Sequence, residues 1–250
     1  MDRAALKLVD VSKLVRRPGK AARAGFPHGL GREGVHEVCA RAYGDGPAAA
    51  GFALAAGRQA WAGGALAWIT RARDARLEGA LSGRGLADLG AAPGRTLYIE
   101  APKAVDVLWA VEEAVTASAV ACVVAECDGL DFTASRRLTL ASQARGVAII
   151  LLLPWGREGA TAAHARWRVS AQPSAPNRLD PRGLGRPRWA AALERSRTAP
   201  EAVGETYVTE FDHETLSLHM AGQLAPRQAP QIADAPAGTG LDQAGLSRAG

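Results

Sequence analysis

Val120-Ala121-Cys122-Val123-Val124-Ala125-Glu126 is apolar at odd and even positions alike until its last residue. A strand built from it hides both faces, so it belongs in the middle of a sheet covered on both sides. Residues 104–116 place Val107, Val111 and Ala114 in helical phase, and residues 135–145 read as another helix. Beyond that helix, Val147-Ala148-Ile149-Ile150-Leu151-Leu152-Leu153 is a second strand without a polar face, closed by Pro154 and far too short to cross a bilayer. Upstream, strands are predicted over 34–39, 65–70 and 96–100, with helices over 48–60 and within 75–89. Strand alternating with helix is the mark of a largely parallel sheet with helices on both faces.

After Pro154 the period changes. Trp167, Val169 and Ala171 alternate with Arg166, Arg168 and Ser170, and similar alternation recurs over 189–195, 206–211 and 216–220. Asp212-His213-Glu214-Thr215 supplies a turn between the last two. These segments predict antiparallel strands at one edge, with Trp155, Trp167 and Trp189 as core residues. At the start of the chain, Leu6, Val9 and Leu14 lie at helical spacing, with Lys7, Lys13, Arg16 and Arg17 on the other side. Pro18-Gly19 ends that short amphipathic helix. Its apolar stripe packs on its own domain or on a neighbouring protein. From residue 226 the chain is Pro, Gly, Ala and Gln, with little to bury. The organisation expected is a helix and basic linker (1–25), one core domain (26–222) and a disordered tail (223–250).

With 250 residues, 48% of them hydrophobic, one sizeable core is the default. The formal net charge of +5 is unevenly placed: residues 1–25 and 157–197 are basic, while 198–250 are acidic. A basic block faces nucleic acid, an acidic protein surface or plain solvent. No segment reads as a secretory signal or membrane anchor, so a cytoplasmic protein is expected. Cys39, Cys122 and Cys127 form no close pair, and the histidines are scattered. Buried thiols are expected, with no metal site and no cofactor.

A strand, a glycine-rich loop and a helix, followed two strands later by an apolar strand ending in a carboxylate, is the layout of phosphate-loop nucleotide-binding domains. A working loop reads G-x-x-x-x-G-K-[ST]: amides cradle the phosphates, lysine neutralises them and the hydroxyl helps hold magnesium. The stretch in that place is Gly44-Asp45-Gly46-Pro47-Ala48-Ala49-Ala50-Gly51-Phe52. It has neither lysine nor hydroxyl, and no lysine lies between residues 21 and 102. Asp45 adds negative charge where phosphates would sit, and Pro47 removes an amide. Glu126 is the strand-end acid, with Asp128 and Asp131 beyond it. No catalytic residue is assigned.

Phe26-Pro27-His28-Gly29-Leu30-Gly31-Arg32-Glu33-Gly34-Val35-His36-Glu37-Val38 resembles the approach of a RecA-family chain to its phosphate loop. Val107-Leu108-Trp109-Ala110-Val111-Glu112-Glu113, Leu130 to Leu138, Ala165-Arg166-Trp167-Arg168-Val169, Gly183 to Trp189 and Asp212-His213-Glu214-Thr215 look more specifically like the ImuA family. The resemblance spans roughly residues 25–222 and implies a RecA-like core, mostly parallel with antiparallel edge strands toward the C-terminus.

It also implies a part in SOS-induced translesion synthesis and mutagenesis. The implied partners are an ImuB-like inactive Y-family polymerase homologue, RecA and an error-prone C-family DNA polymerase. RecA's catalytic glutamate follows the strand matching 65–70; here Thr70-Arg71-Ala72-Arg73 follows, with no carboxylate before Asp74. The stretches matching RecA's DNA-binding loops, 128–135 and 155–163, are short. Glu126 is thus a vestigial acid, and the expected role is that of a non-catalytic adaptor. A nucleic-acid or partner face is expected from Arg136, Arg137, Arg157, Arg166, Arg168, Arg182, Arg186 and Arg188. The helix with Leu6, Val9 and Leu14 stands where RecA's polymerisation helix does, and is expected to dock on a partner. Direct DNA binding by the 157–197 block, a residual ATPase and a SulA-like division inhibitor are the alternatives.

Overall fold

The computed structural model describes residues 26–224, apart from Gly29, Ala62, Arg178 and Pro181. The helix expected around Leu6, Val9 and Leu14 lies outside the described residues, as does the tail expected over 223–250 beyond its first two residues, which belong to the last strand.

One nine-stranded sheet runs through the described residues in the order β3-β2-β4-β5-β1-β6-β7-β8-β9. The strands are β1 (Gly34–Ala40), β2 (Ala65–Arg71), β3 (Thr96–Ala101), β4 (Val120–Glu126), β5 (Ala148–Leu153), β6 (Ala165–Gln172), β7 (Arg188–Ser196), β8 (Thr206–Asp212) and β9 (Ser217–Leu224). The first six are mutually parallel. The last three continue from β6 as an antiparallel meander. Strand β4 lies between β2 and β5, as its two apolar faces demand.

Among the described residues the α-helices are α1 (Gly46–Gly57), α2 (Ala72–Glu78), α3 (Gly83–Asp88), α4 (Ala104–Thr116) and α5 (Phe132–Arg145). The core divides by face. On one side α4 and α5 bring Val107, Val111 and Leu138 onto Ala67, Val123, Ile149 and Leu151. On the other, α1 packs Phe52 and its alanines against Val38, Trp68, Val124, Ile150 and Trp167. A helix with so little polar surface has to be enclosed. The meander does this: Tyr207, Phe211 and Leu218 join the same cluster as Leu86 and Ala91, and the His213 ring donates to the Asp88 carbonyl at 2.8 Å. Phe26 closes the open side, its ring centroid 5.8 Å from Phe52 and 5.4 Å from Trp167.

Element ends differ from the sequence reading where capping decides them. Helix α1 starts at Gly46 rather than 48, because Pro47 fits the first turn, and past Gly57 it tightens into a 3-10 turn over Arg58–Trp61. The helix expected within 75–89 is two helices. Gly79, at φ 95°, ends the first, and the Ser82 hydroxyl accepts from Gly85 N to start the second. Helix α5 begins at Phe132 instead of 135, since the Asp131 carboxylate accepts the Ala134 amide at 2.7 Å. Of the three tryptophans read as core, Trp167 and Trp189 are buried, but Trp155 is 57% exposed. It follows β5 at the strand end, outside the alternation that inserts the other two.

Phe52→Ala removes a side chain with no exposed surface and is expected to cost about 3–5 kcal/mol of stability in urea unfolding. A loss comparable to that of an exposed substitution contradicts the packing described.

Candidate functional site at the carboxyl ends of the parallel strands

Leaving β1 the chain passes to α1 on one face, and leaving β4 it passes to α5 on the other, with β5 between them. In open α/β sheets the crevice at such a reversal is where ligands bind. The residues 44–52 and Glu126 both belong to this rim.

The loop is closed rather than cradling. Gly44 turns the chain at φ 93°, and the Asp45 carboxylate accepts the Ala42 amide and, across to β6, the Ala171 amide, both at 3.1 Å. The first helical bond runs from Ala49 N to the Asp45 carbonyl at 2.9 Å. Ahead of it stand the amides of Gly46 and Ala48 alone, because Pro47 has none. Reading Gly46-x-x-x-x-Gly51 as the two loop glycines puts Phe52 in the lysine's place, and Phe52 is a fully buried core residue. Gly51 is itself helical, and a Cβ there would stand 3.0 Å from the Trp189 ring. Its role is close packing.

Glu126 is also engaged. Trp68 Nε1–H donates to one carboxylate oxygen at 3.0 Å and the Thr70 hydroxyl to the other at 2.5 Å. Burial pushes its carboxyl above the usual range, opposed by these two hydrogen bonds and aided by the charges of Glu78 and Asp74. Next to it, Arg71 grips Asp74 at 2.8 and 3.0 Å and reaches Asp128 at 3.0 Å, tying the end of β2 to the loop after β4. The rim acids Asp45, Asp74, Asp128, Asp131 and Glu126 therefore all have protein partners. Among the described residues no cluster of three or more His, Cys, Asp or Glu is placed to hold a metal. The Cys39 and Cys127 thiols are pushed by burial to about 11 and about 12, and Cys122 is raised by burial alone, so none is a ready thiolate at neutral pH.

Most of the described arginines of the basic block are engaged by other groups of the protein. Arg166 is buried, donating to Glu37 at 2.6 Å and to the Gly159 carbonyl at 2.8 Å, while Thr161 donates to the other Glu37 oxygen at 2.6 Å. Arg168 pairs with Glu194 and donates to the Arg157 carbonyl at 2.9 Å, and Arg157 donates to the Leu130 carbonyl at 3.0 Å. Arg188 and Arg186 hold the buried Glu210 at 2.7 and 3.5 Å, and Arg186 reaches Asp212 at 3.0 Å. Arg137 pairs with Glu112 on α4. The guanidiniums of Arg136 and Arg182 are exposed and pair with nothing among the described residues.

The charge count did not mark a set of exposed aromatics. Tyr43 (89% exposed), Phe132 (52%) and Trp155 (57%) follow the adjacent strands β1, β4 and β5. Their signal in the sequence is position: each comes within a few residues of a strand's carboxyl end, where side chains of the core have stopped.

Fold and rim together define an α/β protein on a mixed, mostly parallel sheet with an antiparallel meander at one edge. No family model matches the chain. Two relatives named Protein ImuA, from two strains of Caulobacter vibrioides, are each 34% identical over 215 residues, covering 80% of this chain and 85% of theirs. The chain belongs to the ImuA family. The crystal structure of SulA from Pseudomonas aeruginosa overlaps 48% of this chain and 97% of its own, at 17% identity and a TM-score of 0.38, a likeness too slight to bear on function. No helix among the described residues is long and apolar enough to cross a membrane.

Two outcomes are expected. Arg166→Ala strands the Glu37 charge in the core and should cost about 3–5 kcal/mol, whereas Arg182→Ala should stay within about 0.5 kcal/mol; denaturant midpoints separate them. For Glu126, a raised folded-state value means that its contribution to stability is full at acid pH and declines as pH rises through that value. Gln does not ionise, so the stability of Glu126→Gln relative to the parent should improve between about pH 4 and about pH 8. A difference that stays flat or worsens contradicts the raised carboxyl.

Proposed function

We propose that this chain is a non-catalytic adaptor in damage-induced mutagenesis, a cytoplasmic protein that joins RecA to a translesion assembly. Its partners on this reading are an ImuB-like inactive Y-family polymerase homologue, RecA and an error-prone C-family DNA polymerase. The observation that carries the reading is the helix starting at Gly46, with Phe52 in the core at the lysine's position. Phosphoryl transfer depends almost wholly on amides, lysine and metal placed around the phosphates, and a helical first turn with an acid at its cap supplies two amides, no lysine and no hydroxyl for magnesium. Membership of the ImuA family supports the same role.

A surface freed of catalysis is left for binding. The rim offers Tyr43, Phe132 and Trp155 with Arg136 beside them on α5, a composition enriched at protein interfaces. We assign the polymerase homologue to this rim and RecA to the helix with Leu6, Val9 and Leu14. Direct binding of DNA by Arg166, Arg168, Arg186 and Arg188 would first have to break their pairs with Glu37, Glu194, Glu210 and Asp212, so the adaptor reading is preferred over it.

Replacing Tyr43, Phe132 and Trp155 together by serine should weaken capture of the ImuB-like partner by at least about tenfold, the loss of one modest hot spot, with the melting temperature held. Nucleotide titrated with and without magnesium should give no saturable binding. Unimpaired capture, or magnesium-dependent ATP binding, overturns the assignment.

A further inference from the structure

At the amino ends of β2 and β3, the opposite end of the sheet from the rim, lies a cavity of about 250 Å³. It is lined by Arg58 and Trp61 after α1, by Gly63 and Leu66 at the start of β2, and by Gly90 and Arg95. Two cations line it and no acid does. The Nε of Arg58 is sealed from solvent with no hydrogen-bond partner, and its guanidinium has no ion pair among the described residues. Gly90 packs over that Nε, so the terminal guanidinium nitrogens of the half-buried Arg58 are the donors left for a ligand, in a cavity that no acid shares.

The path of Arg58 is built into the fold. A Cβ at Gly90 would stand 2.9 Å from Arg58 Nε, and Gly90 holds φ at 82°, so this residue lets the side chain pass between the α3–β3 connection and Leu216. The β8–β9 turn that places Leu216 is itself fastened by His213 to Asp88. Arg95, also in the lining, gives one donor to the Gly63 carbonyl at 2.9 Å and keeps the rest of its fork. Trp61 and Leu66 add apolar lining.

We propose that this cavity binds a phosphomonoester. Two guanidiniums uncompensated by any lining carboxylate match a doubly charged anion, where a single carboxylate would leave one charge unmet. Their planar forks offer paired donors to a tetrahedral oxyanion. The volume is below the range of ordinary small-molecule sites, which suits a phosphate with little attached and excludes a strand threaded through mid-chain. The group is either a small free phosphate or the terminal phosphate of a nucleic-acid strand.

Calorimetric titration of the full chain distinguishes them, using inorganic phosphate and a short oligonucleotide bearing either a 5′-phosphate or a 5′-hydroxyl. Saturable binding of phosphate, of the 5′-phosphorylated strand over its hydroxyl counterpart, or of both is the expected result, and the tighter of the two identifies the source. Arg58→Gln and Arg95→Gln should each weaken it by at least about tenfold, as loss of a charge-assisted contact does, and Arg145→Gln, exposed on α5, should leave it unchanged. Should Arg58→Gln fail to fold, Arg95→Gln on the exposed wall decides alone. No saturation by about 10 mM phosphate, beyond the range of a specific site, with equal binding of the two strands, overturns the proposal. Equal weakening by Arg145→Gln overturns it as well.

Discussion

Helix α1 is apolar around most of its circumference, and the sheet has to close on it. A helix covering a flat parallel sheet needs one apolar stripe, and its other side is then free to carry charge. Here Ala49, Phe52 and the run from Ala53 to Gly57 are all buried, so cover must come from a second direction. The meander β7–β9 supplies it by bending until Phe211 and Leu218 meet Leu86 and Ala91. The same requirement sets where the helix begins. With Phe52 committed to the rings of Phe26, Trp167 and Trp189, the backbone before it winds into the helix from Gly46.

The few buried charges among the described residues are paired with one another or with half-buried arginines. The basic block at 157–197 and the acids that answer it are far apart in sequence, and only the strand order brings them together. Glu37 and Arg166 are 129 residues apart yet neighbours on β1 and β6. Arg188 meets Glu210 because β7 and β8 pair in that register. Such buried pairs add little net stability compared with well-packed apolar residues, but a strand slipped by one residue would leave both charges unmet. In a meander whose alanine-rich β7 sets register weakly, that penalty helps to hold the strands in place.

The strands and two long helices are legible in the sequence because burial on both faces leaves unbroken apolar runs, as in β4 and β5, or a clear helical phase, as in α4. Helix starts at Gly46 and Phe132 are less so, since they depend on Pro47 and Asp131 outweighing the apolar period. The candidate site divides the same way. The missing lysine and the strand-end position of Glu126 are plain from residue order, but the partners of Glu126, Trp68 and Thr70, come from a neighbouring strand. Arginine identity says nothing of direction: Arg166 and Arg136 look equivalent in the chain, and one is buried on Glu37 while the other stands in solvent. Arg58 carries no signal at all, because its surroundings are assembled from α1, β2 and the α3–β3 connection.

The two ends of the sheet differ in what they leave unpaired. At the carboxyl ends, where ligands bind in open α/β sheets, the acids have protein partners, and Tyr43, Phe132 and Trp155 stand exposed along with Arg136. On the proposed reading that set would meet a protein surface. At the amino ends the curl of the meander brings Leu216 and Gly90 around Arg58, in a cavity that no acid lines. Both arrangements follow from enclosing α1: burial of Phe52 fixes where the helix starts, and the turn that completes the enclosure frames the cavity.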